Sequence, residues 1–153
     1  MGNILNLLGN NNINKIDIMW QYSDVDAYVT KNNIYIDDKT IFRLKTWFKE
    51  YNNLKGSTCG QFCYYIYFGI YKLFKHEINI QANKILYEDL DQLPNSSILC
   101  IYNKDADDYH FFTKLDKDLY ISKIGNLSVC ITNFISLVNI YQLEALFHVT
   151  SIY

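Results

Sequence analysis

The segment from Thr58 to about Lys75 constrains the fold most. Tyr64, Ile66, Tyr67, Phe68, Ile70, Tyr71, Leu73 and Phe74 cover most of the circumference of any helix drawn through it. A helix that is apolar all round has no face to offer water, so other elements must bury it. Thr58 as N-cap, with Gln61 three positions on, forms a capping box. That box places Cys59 at the first helical position and Cys63 one turn further in. Gly69, inside the helical pattern, lowers helix propensity by about 1 kcal/mol and points to close packing against a neighbour. With 153 residues, half of them hydrophobic, the chain can bury such a helix within one domain.

The rest of the chain supplies the packing layers. Ile16 to Trp20 alternates and reads as a strand. Ala27–Thr30 and Asn33–Ile36 read as short strands flanking a Lys31-Asn32 turn. Thr40 to Asn52 is helical, with Ile41, Leu44, Phe48 and Tyr51 at spacings of three and four and Asp38 or Thr40 as cap. A short strand at Ile78–Ile80 and a helical turn over Ile85–Leu90 precede the turn at Pro94. Ile98–Tyr102, Tyr109–Leu115 and Leu119–Ile124 then read as an antiparallel meander joined by acidic turns. A helix over Phe134–Leu146 and a strand over Phe147–Tyr153 close the chain. The expected fold class is α+β: residues 1–153 form a single domain, with 1–14 a loose N-terminal arm and a central helix packed on an antiparallel sheet.

Charge and cysteine content exclude several function classes. The formal net charge is -2, so the basic face of a general nucleic-acid binder is not expected. Cys59, Cys63, Cys100 and Cys130 lie in apolar surroundings with no signal peptide before them, which points to reduced thiols and a cytoplasmic setting. Neither a metal nor an organic cofactor is implied: the cysteines lack ligand spacing, and the Asp105-Asp107-Asp108 loop lacks the pattern of a calcium loop. No apolar run reaches the ~20 residues of a membrane span. Met1-Gly2 resembles a lipidation start, but Asn6 stands where Ser or Thr is required.

The candidate chemistry is that of a thiol nucleophile. At a helix start, unpaired N–H groups and the positive end of the dipole favour the thiolate of Cys59. The plainer reading is a small buried hydrophobe, the common fate of a free cysteine. Cys63, deeper in the helix, is the second candidate nucleophile. His110 opens a strand near a loop mouth and is the candidate base. His76 is read as offsetting the end of the cysteine helix, and His148 as structural. An imidazole base needs an orienting side chain; Ser122, Asn126 and Asn133 are available, and Asn126, after the strand that ends at Ile124, is preferred.

Two segments carry a family resemblance. Cys59-Gly60-Gln61-Phe62-Cys63 resembles the Cys-Gly helix start of papain-like cysteine peptidases. Asp108-Tyr109-His110-Phe111-Phe112, with Tyr120, Ser122, Lys123 and Gly125 downstream, resembles a segment of a poorly characterised microbial family. That family has an Asp-Tyr-His-aromatic strand and an upstream cysteine followed by tyrosine, which matches Cys63-Tyr64. The resemblance implies a papain-like fold and hydrolysis or acyl transfer on peptide or isopeptide bonds of a protein substrate. In that scheme Cys59 attacks, His110 moves the proton and Asn126 orients the imidazole. The alternative expectation is a non-catalytic interaction module of the same fold, such as a pathogen protein that binds a host factor.

Overall fold

A computed structural model describes residues 16–19, 21–32, 35–54, 57–72, 80–103, 108–124, 128–141 and 145–152. The N-terminal arm, Gly56, His76 and Asn126 lie outside these ranges. In chain order the elements are β1 (Ile16–Met19), α1 (Tyr22–Asn32), α2 (Asp38–Thr46), a π-helical turn (Trp47–Tyr51), α3 (Cys59–Phe68), β2 (Ile80–Lys84) and a 3-10 turn (Tyr87–Gln92). They continue with β3 (Ile98–Asn103), β4 (Asp108–Asp116), β5 (Leu119–Lys123), β6 (Val129–Thr132), α4 (Phe134–Tyr141) and β7 (Ala145–Ile152). The strands form one antiparallel sheet in the order β1-β6-β5-β4-β3-β7-β2. The α+β class expected from the sequence is therefore present.

Helices cover both faces of the sheet. On one face α1, α2 and α3 bury Val25, Leu44, Trp47, Phe62 and Ile66 against Leu115, Ile121, Val129 and Ile131. On the other, Phe134, Leu137 and Val138 of α4 pack on Leu99, Ile101, Phe112 and Tyr120. Side chains alternate between the two faces along each strand. Phe111, Thr113 and Leu115 of β4 therefore face α3, and His110 and Phe112 face α4.

Helix α3 is buried on one side only: Phe62, Cys63, Tyr65 and Ile66 are buried, whereas Tyr67 and Phe68 are exposed, so the helix enclosed all round that its composition suggests is not formed. Trp47 meets Phe62 edge-on at 5.1 Å, and Tyr51 stacks on Tyr71 at 4.6 Å. The Ser57 hydroxyl bonds Tyr51 O at 3.0 Å and the Tyr71 hydroxyl at 2.8 Å, which ties down the entry to the helix. The helix is shorter than its apolar pattern suggests. Gly69 adopts φ +74°, a left-handed cap, and Arg43 Nη1 donates to Ile66 O at 2.9 Å and Tyr67 O at 2.7 Å. Gly69 is thus a stop signal, not a packing notch inside a longer helix.

Other expectations change as well: the helix expected over Phe134–Leu146 ends at Tyr141, and Ala145 and Leu146 belong to β7. The short strands placed at Ala27–Thr30 and Asn33–Ile36 give way to helix α1, because Val25, Tyr28 and Val29 share one helical face and pack on the core. Asp37, not Asp38 or Thr40, caps α2, its Oδ1 accepting Thr40 N–H at 2.7 Å. No strand is expected at β6, although Val129-Cys130-Ile131-Thr132 is mostly β-branched; its four residues are all buried between β1 and β5.

Candidate functional site

Cys59 lies at the first position of α3, as expected, and is partly exposed. Gln61 Oε1 accepts the Thr58 N–H at 3.0 Å and also the Thr58 hydroxyl, which fixes the helix start. Cys63, one turn on, is 1% exposed and accepts a hydrogen bond from Thr113 Oγ1 at 3.5 Å. Burial pushes the Cys63 thiol far above its ordinary pKa. That thiol stays protonated and packed, so the second candidate nucleophile is a core residue. All four cysteines are free thiols.

The structure does not bring His110 to Cys59. His110 pairs with Ile101 of β3 and stacks on Phe112 at 6.2 Å with a 10° interplanar angle. Both neighbours belong to the face covered by α4. Cys59 sits on a helix packed against the opposite face, so the sheet itself stands between thiol and imidazole. His110 is also 3% exposed, and desolvation lowers its pKa to about 3. A neutral, buried imidazole behind the sheet cannot take a proton from Cys59.

Two of the three orienting candidates are among the described residues. Asn126 lies outside the described residues. Asn133 Oδ1 accepts Ser136 N–H at 3.0 Å and Ser136 Oγ at 2.6 Å, the bonds of a helix N-cap at the start of α4. Ser122 shares the face of His110, and its fully buried hydroxyl has no hydrogen-bond partner among the described residues. Cys59 and His110 are therefore not brought together.

The partner that sequence reasoning missed is Lys123. The Cys63–Thr113 contact fixes α3 over β4, and Ile66 and Tyr67 border the same hollow as Thr113 and Leu115. The helix therefore runs from the Phe111 end of β4 toward Leu115. Thr113 pairs with Ile121, so two residues back along β4 and two on along β5 lie Phe111 and Lys123. Lys123, on the α3 face like Ile121, comes beneath the N-terminus of α3 and interacts electrostatically with Cys59. It is 2% exposed, and burial lowers its pKa while the sulfurs of Cys59 and Cys130 oppose that shift. The period-two pattern of Leu119, Ile121 and Lys123 was the available signal, a lysine placed where the strand reads apolar.

A second feature lies at the far end of α3. Two hollows of about 610 and 370 Å³ meet at Tyr67, Asn95 and Ser96. One extends over His148 and Ser151 of β7, the other past Arg43 to Tyr35. Tyr35 is 76% and Tyr67 49% exposed. Ser96, where the hollows meet, holds φ +72°, and its N–H donates to Lys114 O at 2.7 Å. Such backbone conformations cost of order 1 kcal/mol or more and cluster at functional sites. Lys114 Nζ donates to Leu90 O at 2.7 Å and Leu93 O at 2.9 Å, which caps the 3-10 turn beside the groove.

Comparison of the chain with protein-family models, curated proteins and solved structures yields no match. Among the described residues no helix is long and apolar enough to cross a membrane, and no group of three or more His, Cys, Asp or Glu is placed to hold a metal ion.

Proposed function

We propose that this domain is a non-catalytic protein-interaction module that holds an extended peptide segment in the groove across the C-terminal end of α3. The groove with its exposed aromatic rim carries this reading. Large exposed aromatics beside a concave surface mark interaction sites, and Tyr35 and Tyr67 are anchors of the kind that dominate binding energy. Asn95, Ser96 and Ser151 offer polar groups to a peptide backbone. A helix with a cysteine at its start, packed on an antiparallel sheet, is compatible with a papain-like layout that has lost its histidine partner. A cytoplasmic setting belongs to the same proposal.

Selection of random linear peptides displayed on phage tests it. Enrichment on the folded protein that falls at least tenfold on Tyr67→Ser and Tyr35→Ser supports the reading. No enrichment, or equal capture by both variants, removes it. The second reading is thiol-dependent hydrolysis or acyl transfer on peptide or isopeptide bonds at Cys59. It is favoured by the partial exposure of that residue at a helix start, and it requires a base other than His110. Turnover of peptidyl thioesters that disappears in Cys59→Ser would put it first.

A further inference from the structure

The two hollows of the groove differ in charge. Among the described residues, the larger has no Lys, Arg, Asp or Glu in its lining; the buried side chains of Ile98 and Val149 are its apolar part. The smaller sets Lys39 and Arg43 against the single carboxylate of Asp37. Lys114 borders it too, but its side chain turns to the α4 face, where Nζ is held by Leu90 O and Leu93 O. Lys39 and Arg43 stand four apart on α2 and so share one helical face, where like charges repel unless an anion joins them. Asp37 interacts with both cations, yet its Oδ1 is engaged by the Thr40 N–H at 2.7 Å. Two cations against one carboxylate leave the wall with a positive excess.

Arg43 carries the sharper signal. Its Nη1 donates to both Ile66 O and Tyr67 O. Nε and Nη2 donate to no described group, and no described carboxylate pairs with Arg43. Those two nitrogens form the side of a guanidinium that grips a carboxylate with two parallel bonds. Beside them is Gly69, where a Cβ would come within 2.8 Å of Nη2 and 2.9 Å of Nε. Because glycine has none, no side chain at that position closes off the fork.

We propose that the peptide held in this groove is acidic: a carboxylate docks on Arg43 and Lys39 in the smaller hollow, and a nearby apolar side chain enters the larger one beside Ile98 and Val149. The inference rests on the groove being a peptide site and adds which peptide it takes. The exposed rings of Tyr35 and Tyr67 flank the charged hollow, and rings closing over the ion pair strengthen it by excluding water. An Asp or Glu side chain and a peptide C-terminus share this chemistry.

Random linear peptides displayed on phage are selected on the folded full chain, and the enriched sequences are read. Most are expected to carry Asp or Glu with an apolar residue a few positions away. The most enriched peptide is then synthesised with both ends blocked, and again with its carboxylate side chains as amides. The amide form is expected to bind ~10-fold more weakly by fluorescence anisotropy. Raising salt from ~50 to ~500 mM is expected to weaken the acid form alone. Binding regained by an amide form with a free C-terminus assigns the carboxylate to the chain end. Arg43→Gln is expected to abolish the difference between acid and amide forms. Lys39→Glu, an acid in the first turn of α2 where the helix dipole favours one, is expected to weaken the acid form ~3-fold or more and to turn a fresh selection toward Lys and Arg. Where Arg43→Gln fails to fold, Lys39→Glu decides. Enriched peptides without acidic residues, equal binding of acid and amide forms, or an unchanged Lys39→Glu affinity overturns the acidic preference; sensitivity to Tyr67→Ser would then still uphold the peptide site. No enrichment at all removes both.

Discussion

Replacing Gly69 with alanine tests how the end of α3 is built. At φ +74° an added Cβ would lie 2.8 Å from Arg43 Nη2, 2.9 Å from Nε and 3.1 Å from Cζ. The left-handed backbone alone costs an alanine about 1 kcal/mol. The guanidinium must also move, and it is held by two carbonyls at 2.9 and 2.7 Å. Losing both bonds costs about 1–2 kcal/mol, because one lies at an exposed position where water competes. Gly69→Ala should therefore destabilise by about 2–3 kcal/mol and Arg43→Ala by about 1–2 kcal/mol. The effects share a cause, so the double variant should lose about 2–3 kcal/mol and not the sum. Urea unfolding followed by tryptophan fluorescence reads this, since Trp47 is fully buried against α3. Additivity within ~0.5 kcal/mol would show that Arg43 and Gly69 act independently and refute the account of helix termination.

Two further predictions concern pH and capping. His110 has its folded pKa lowered to about 3 by burial, so the unfolded chain binds the extra proton more readily. Stability should be unaffected above the unfolded value of about 6.5 and should fall progressively as pH drops from there toward 3. His110→Phe should remove that part of the pH dependence in thermal melts; an unchanged profile would mean that the imidazole is hydrated. Asp37→Ala should cost about 1 kcal/mol near neutral pH through loss of the α2 cap. The Thr40 bonds lower the Asp37 pKa, so the cost should vanish only as pH falls through that lowered value. Denaturant titrations at pH 7 and pH 3 would check it, and an equal cost at both would count against the cap.

Local rules made the elements legible. The box at Thr58 and Gln61 fixed where α3 begins, because capping chemistry is written within four residues. The meander from β3 to β5 was readable from period-two runs between turn residues. The end of α3 was not, because apolar residues continue past Gly69, and only the Arg43 contact with the last carbonyls reveals the stop. Helix α1 was misread because Ala27 to Thr30 is β-branched and aromatic; burial of Val25 and Tyr28 overrode that preference. Strand β6 is a β-branched run only four residues long, too short to stand out in the sequence, and pairing with β1 and β5 buries it.

The candidate site divides in the same way. Its sequence alone settled that a cysteine opens a nearly all-apolar helix, because that depends on adjacent residues. Which side chain the cysteine meets depended on strand facing, and neighbours on a strand point to opposite faces. Tertiary structure turned Phe111 and Lys123 toward α3 and His110 toward α4, one residue's difference in each case. The composition of a strand cannot reveal which of its two faces a distant helix will cover. Packing of α3 on β4 and β5, and of α4 behind them, made that choice.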